Sequence, residues 1–147
     1  MSQLAQLNIA RLRHPLDHPD LEPFVSALDA VNADAEAAPG FVWRLIGDGT
    51  NNATDLRPWG DDMIVNLSVW ESVEALREYV YAPAHRDILR QRRSFFDPMT
   101  EAFVVLWWVE DGEWPTLDEA HERLTMLRTH GPTAQAFTFA NPFDPVE

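Results

Sequence analysis

The chain has 147 residues, 46% of them hydrophobic, with no cysteine and with 24 acidic against 11 basic side chains, a formal charge of −13. That length supports one domain with a real core. The missing thiols exclude disulfides, thiolate nucleophiles and thiolate-held metals, and the acidic balance argues against non-specific contact with nucleic acid or anionic lipid, both of which need a basic footprint. A small neutral or cationic ligand suits this charge better. Met1-Ser-Gln-Leu-Ala5 has neither a basic start nor an apolar core of signal length, so the expectation is a soluble cytoplasmic protein, a single domain over 1–147 with 140–147 as an extended tail.

Residues 4–12 alternate, with Leu7 and Ile9 on one face and Gln6, Asn8 and Ala10 on the other, which predicts a strand with one polar face. Leu21, Phe24, Val25, Leu28, Val31 and Ala35 recur at helical spacing from just after Asp20 to the stop at Pro39-Gly40, a helix of about four turns. Phe41 to Ile46 reads as a second strand. Met63 to Trp70 reads as a third, with Met63, Val65, Leu67 and Val69 on one face and Ile64, Asn66, Ser68 and Trp70 on the other. Between them, Gly47 to Asp61 is long for a connection between pairing strands. Trp59 and Arg57 would suit a lid, while its Gly and Asn residues favour a hairpin tip. Ser72 can cap a short helix that Pro83 interrupts, and a further helix is expected from about Ala84 to Phe96.

Phe103–Val109 is an apolar run on both alternating faces, too short for a membrane and in need of cover on both sides. Thr116 and Glu119 form a capping box, and Arg128 and His130 stand in the last turn before Gly131-Pro132. Leu117, Ala120, Leu124 and Leu127 make the apolar stripe of that helix, with His121 at its boundary, and Ala136 to Phe139 is expected to return as a short edge strand. The order βαββαβ with one helix appended is an α+β plan: a ferredoxin-like split βαβ antiparallel sheet with helices on one face. The other face would be bare. It would present a large apolar patch in a monomer, and two sheets packed face to face, a dimeric α+β barrel, would cover it and leave space for a small apolar ligand.

Pro39-Gly-Phe41, the strand ending Asn66-Leu-Ser-Val-Trp70-Glu-Ser, and Ala82-Pro-Ala-His85 resemble the signature of the antibiotic-biosynthesis monooxygenase-like dimeric α+β-barrel proteins. The stretch Tyr79 to Arg86, with Leu106-Trp-Trp-Val109, Gly131-Pro-Thr133 and Ala136-Phe-Thr-Phe139, is similar to the family called domain of unknown function 3291. The resemblance implies a ferredoxin-like homodimer. Relatives' activities include cofactor-free oxygenation, haem breakdown, isomerisation and simple ligand binding, so fold alone transfers no function. In the cofactor-free oxygenases a dry pocket holds an oxidisable apolar or aromatic substrate, with Asn, Trp, Tyr or Arg side chains at the developing oxyanion. Asn8, Arg44, Asn66 and Trp70 are the equivalents this implies, with Trp43, Tyr79 and Trp108 as further substrate contacts. The facing of Arg44, and of Trp107 against Trp108, stays open. The competing reading is a non-catalytic ligand-binding or scaffold homodimer in which the two Asn side chains satisfy a buried network and Trp70 is ordinary packing.

Haem-degrading relatives need a helix tryptophan and histidine at offsets where this chain has Tyr79 and Leu89, and Leu89 cannot ligate iron. No cofactor is expected, and haem binding is the lesser alternative. His85, at a helix start, is the titratable residue that could serve as a general base. His14, Asp17, His18 and Asp20 are raw material for a zinc or nickel site, but their spacing outside a helix carries no geometric warrant, so no metal is expected. Arg86, Arg90, Arg92 and Arg93 form the one basic patch of an acidic chain, raw material for an anion site, but they read as a solvated helix face pairing with acidic neighbours.

Overall fold

A computed structural model describes residues 2–47, 52–82, 86 and 90–145. The chain forms β1 (Ser2–Leu12), a 3₁₀ turn (Pro19–Leu21), α1 (Glu22–Ala37), β2 (Phe41–Arg44), β3 (Met63–Trp70) and α2 (Val73–Val80). A one-turn α3 (Arg92–Phe95), the two-residue β4 (Phe96–Asp97), β5 (Val104–Glu110) and α4 (Leu117–His130) follow. β1 pairs with β3 along one edge and with β4 and β5 along the other, and β2 adds to the far side of β3, every pairing antiparallel. β3 therefore separates β1 from β2, the two strands joined across α1, which is the split βαβ plan of a ferredoxin-like α+β fold.

Strand alternation decides the two faces. Leu4, Gln6 and Asn8 stand opposite Trp70, Ser68 and Asn66, while Ala5, Leu7 and Ile9 stand opposite Val69, Leu67 and Val65. On the first face, Leu4 and Trp70 pack with Ala35, Leu76 and Phe137, and Leu12 and Ile64 pack with Leu21, Phe24 and Phe95. Both helices of the split plan lie here. On the second face, Leu7, Val65, Val69, Val105 and Trp107 pack with Ala120, Leu124 and Leu127 of α4. The appended helix thus covers the face that alternation alone left bare. Asp111 to Thr116 turns the chain back so that α4 lies on β5, and its apolar stripe fills the role that a second sheet would otherwise have to fill. The both-sided apolarity of β5 is satisfied within one chain.

The caps follow from the residues. Thr116 Oγ1 accepts the Glu119 amide at 3.1 Å, and Ser72 Oγ accepts the Ala75 amide at 3.1 Å. The capping box at Thr116 is only half made, because the Glu119 carboxylate accepts the Trp107 indole N–H at 3.2 Å instead of turning back to Thr116. Gly40 ends the α1 connection at φ +84°, where a Cβ would lie 2.5 Å from the Cβ of Ala75, so only glycine fits.

Other details depart from expectation. β2 stops at Arg44, two residues short of Ile46, and Ala136 to Phe139 meets the sheet only at the Phe137–Leu106 bridge, with Ala136 bridged locally to Thr133. Val25 is exposed. The helix expected over 84–96 lies partly outside the described residues, and at its end Phe96 leaves the helix to pair with Leu12. Of the segment expected as a hairpin tip, residues 48–51 lie outside the described residues; the remainder packs down, with Ala53 7% exposed, Leu56 and Trp59 in the second-face core and Trp59 stacked on His121 at 5.0 Å. Arg57 serves the same loop, donating to the carbonyls of Thr54 and Asp61.

Candidate functional site

A cavity of about 380 Å³ lies between the first face of the sheet and α1. Its volume falls in the range of small-molecule sites, roughly 300–1,000 Å³. The roof is the helical stripe Phe24, Leu28, Val31 and Ala35, and the floor is the polar half of the strands: Gln6, Asn8, Asn66 and Ser68. Trp70, Phe41 and Tyr79 wall one part, Phe96, Phe103 and Val104 another, and Asn52 to Thr54 of the packed-down loop complete the lining.

The floor carries a connected hydrogen-bond set. The Gln6 amide nitrogen donates to Asn66 Oδ1 at 2.5 Å and to Ser68 Oγ at 2.7 Å, and the Trp70 indole N–H donates to the same Ser68 Oγ at 2.9 Å. The Asn66 Nδ2 hydrogens have no acceptor among the described residues, so they are the donors this floor offers to a ligand. Trp70 is 1% exposed, its ring 5.2 Å from Tyr79 and 5.4 Å from Phe41. The Tyr79 hydroxyl donates to the Val31 carbonyl at 3.2 Å, which ties α2 to the roof. Burial foremost, then the Asp34 carboxylate, pushes this phenol up to about 12, and the Arg44 guanidinium opposes them.

Arg44 faces the cavity because of an irregularity. Phe41 stands opposite Trp70 and Trp43 opposite Val69, so the register shifts between them and two residues that simple alternation would align fall on opposite faces. Arg44 then lies opposite Ser68. Trp43, expected as a substrate contact, is turned to the second face, where it stacks on Trp114 at 5.7 Å, and does not line this cavity. Trp108 shares the first face, opposite Leu4, but lies outside the cavity, packed on Phe137 and donating its indole N–H to the Phe143 carbonyl at 2.8 Å. Asn8, Arg44, Asn66, Trp70 and Tyr79 are brought together, whereas His85 lies outside the described residues.

Gln6 and Ser68 were missed as site residues. Alternation had placed Gln6 with Asn8 and Ser68 with Asn66, and the cross-strand register makes Gln6 and Ser68 direct partners. Arg92, over the Phe103 ring at 5.2 Å, belongs to the basic cluster expected as a solvated helix face, and it also lines the cavity. His14 and His18 stack at 4.0 Å with planes 11° apart, and their ligand atoms and Asp20's lie within 4.8 Å of one another. Parallel rings hold their in-plane lone pairs parallel rather than convergent on one ion, and His18 Nδ1 already accepts the Asp20 amide at 3.1 Å, capping the 3₁₀ turn.

The antiparallel sheet in split βαβ order, with a lined cavity under its crossover helix, makes this a ferredoxin-like α+β protein. Within that class the chain belongs to the family described as Domain of unknown function (DUF3291), whose model matches residues 3–147. No curated protein matches the sequence. Among solved structures, a conserved protein from Methanosarcina mazei Go1 superposes with a TM-score of 0.54 at 9% identity, over 73% of this chain and 92% of that one. A protein of unknown function from Nitrosomonas europaea gives 0.53 at 9% identity, over 79% and 97%. The cofactor-independent oxygenase SnoaB from Streptomyces nogalater gives 0.48 at 17% identity, over 79% and 100%. These likenesses concern fold; the last is too distant to carry a functional argument. Among the described residues no helix is long and apolar enough to cross a membrane.

Proposed function

We propose that this chain binds an apolar or aromatic small molecule in the cavity under α1 and, as a homodimer, oxygenates it without a metal or organic cofactor. The observation that carries the binding half is the cavity: apolar walls of Trp70, Tyr79, Phe96 and Phe103 around a floor with a few fixed amide groups. The oxygenating half rests on the resemblance carried by Asn66 and Trp70. In such chemistry the deprotonated substrate itself reduces oxygen, and the protein supplies a dry site with donors aimed at the developing oxyanion. The Asn66 Nδ2 hydrogens supply the donors for that part, their amide held in orientation by Gln6, with a bound ligand needed to exclude water from this exposed residue. A second copy of the chain would cover Trp114, which is 48% exposed where it stacks on Trp43.

One observation favours the second reading, a non-catalytic ligand-binding or scaffold dimer. The Trp70 N–H, the donor an oxygen adduct would need, is already held by Ser68 in a nearly closed environment. Oxygen uptake with apolar aromatic phenols and enolisable ketones, measured on the wild type, Asn66→Ala and Trp70→Phe, separates the two. An oxygenase loses uptake in the folded Asn66→Ala protein, whose altered side chain is exposed and so costs little stability. Absence of uptake in the wild type with ligand binding intact would leave the binding dimer. Haem binding, the lesser alternative, predicts a Soret band on adding haemin.

A further inference from the structure

We infer that the cavity selects a ligand bearing a carboxylate on an apolar body, and that Arg44 receives the carboxylate. The side chain of Arg44 is only 8% exposed and lines the cavity. Its Nε and Nη2 both reach one oxygen of Glu36, at 3.4 and 3.2 Å, the long end of hydrogen-bond range. Glu36 is itself 51% exposed, so water competes for that oxygen. Nη1 has no acceptor among the described residues. The spare Nη1 of this mostly buried guanidinium is left to the water that reaches the cavity, and a second carboxylate that displaces this water matches the open side of the fork in a planar, two-point geometry.

The rest of the lining agrees. Arg92 also contributes to it, and among the described residues no Asp or Glu does, although the chain as a whole carries a formal charge of −13. Glu36, 3.2 Å from Arg44, and Asp34, which acts on Tyr79, lie inside the Debye length of about 8 Å at physiological salt and oppose a second carboxylate; more distant surface carboxylates are screened, and direct two-point contact with Arg44 decides. The general acidity that favoured a neutral or cationic ligand is therefore overridden where the ligand sits. A single buried guanidinium among aromatic walls suits a monoanion better than a phosphate. This inference rests on the cavity being the ligand site and is independent of any oxygenation.

The test is a calorimetric titration of 2-naphthoate and its neutral isostere 2-naphthamide against the wild type, Arg44→Met and Glu36→Gln. The wild type should bind the carboxylate about tenfold or more tightly than the amide, a preference of the size a charge-assisted pair supplies. Arg44→Met should abolish that preference while amide binding persists. Glu36→Gln, which removes the competing carboxylate and keeps Arg44, should tighten naphthoate binding; this arm holds even if Arg44→Met fails to fold. Equal affinities in the wild type, or weaker naphthoate binding by Glu36→Gln, would overturn the inference and leave the cavity as a site for neutral ligands. Binding of neither probe would overturn it together with the cavity reading.

Discussion

Tyr79 shows how the fold changes the chemistry of a single group. With burial the larger cause and Asp34 adding to it, its phenol is held protonated up to about 12 against an ordinary 10.0. A phenol whose folded value is raised contributes stability that is fully present below the unfolded value. Between 10.0 and about 12 the unfolded chain ionises first, and that contribution is lost as pH rises. Denaturation midpoints of wild type and Tyr79→Phe should therefore converge as pH climbs through this window, and the phenolate absorbance step near pH 12 should vanish in the variant. A step near the ordinary value in the difference between wild type and Tyr79→Phe would show that the ring is not enclosed. Trp70→Phe removes the donor to Ser68 from a closed site, at a cost of about 1 kcal/mol for the hydrogen bond plus the smaller ring's lost packing. Urea unfolding measures that loss; little change would mean that the ring is loosely held and place Trp70 with the ligand instead of with the core.

At the scale of elements, the helix ends and strand faces were legible because their causes are local. Thr116 with Glu119 marks a helix start wherever it occurs, and Met63 to Trp70 alternates over its whole length. Thr116→Ala should cost about 1 kcal/mol of stability, read from the urea midpoint. Gly40→Ala should cost more, roughly 1–3 kcal/mol, since it adds left-handed strain to a collision with Ala75. What was not legible depended on partners distant in sequence. The shift between Phe41 and Trp43 depends on how β2 meets β3, and it decides that Arg44 faces the cavity and Trp43 does not. The half-made box at Glu119 depends on the Trp107 indole, and the downward packing of the loop at Trp59 depends on His121. The polar floor was visible as alternation, but its connectivity through Gln6 was not, because register is a tertiary fact.

For the whole molecule, α4 is the element that alters the argument. A strand apolar on both faces signals cover, and cover came from the chain's own last helix, so apolarity alone does not demand a second copy. Leu124, 1% exposed between α4 and the sheet, should cost about 2–5 kcal/mol on replacement by alanine, measured by thermal or urea unfolding. A much smaller loss would mean that α4 is loosely docked and that the second face is open to another chain. Sedimentation of wild type and Trp114→Lys addresses the proposed dimer, which should dissociate in the variant if the Trp43–Trp114 surface lies in the contact.

The central claim is that the space between the sheet's polar floor and α1 is where a small molecule binds. An amide proton–nitrogen chemical-shift map of the labelled protein during titration with 2-naphthoate tests it directly. Saturable shifts concentrated at Gln6, Asn8, Asn66, Ser68 and Trp70 on the floor, and at Leu28 and Val31 on the roof, are the predicted result. Saturable shifts centred on Trp43 and Trp114 of the opposite face, or no saturable shifts at all, would contradict it.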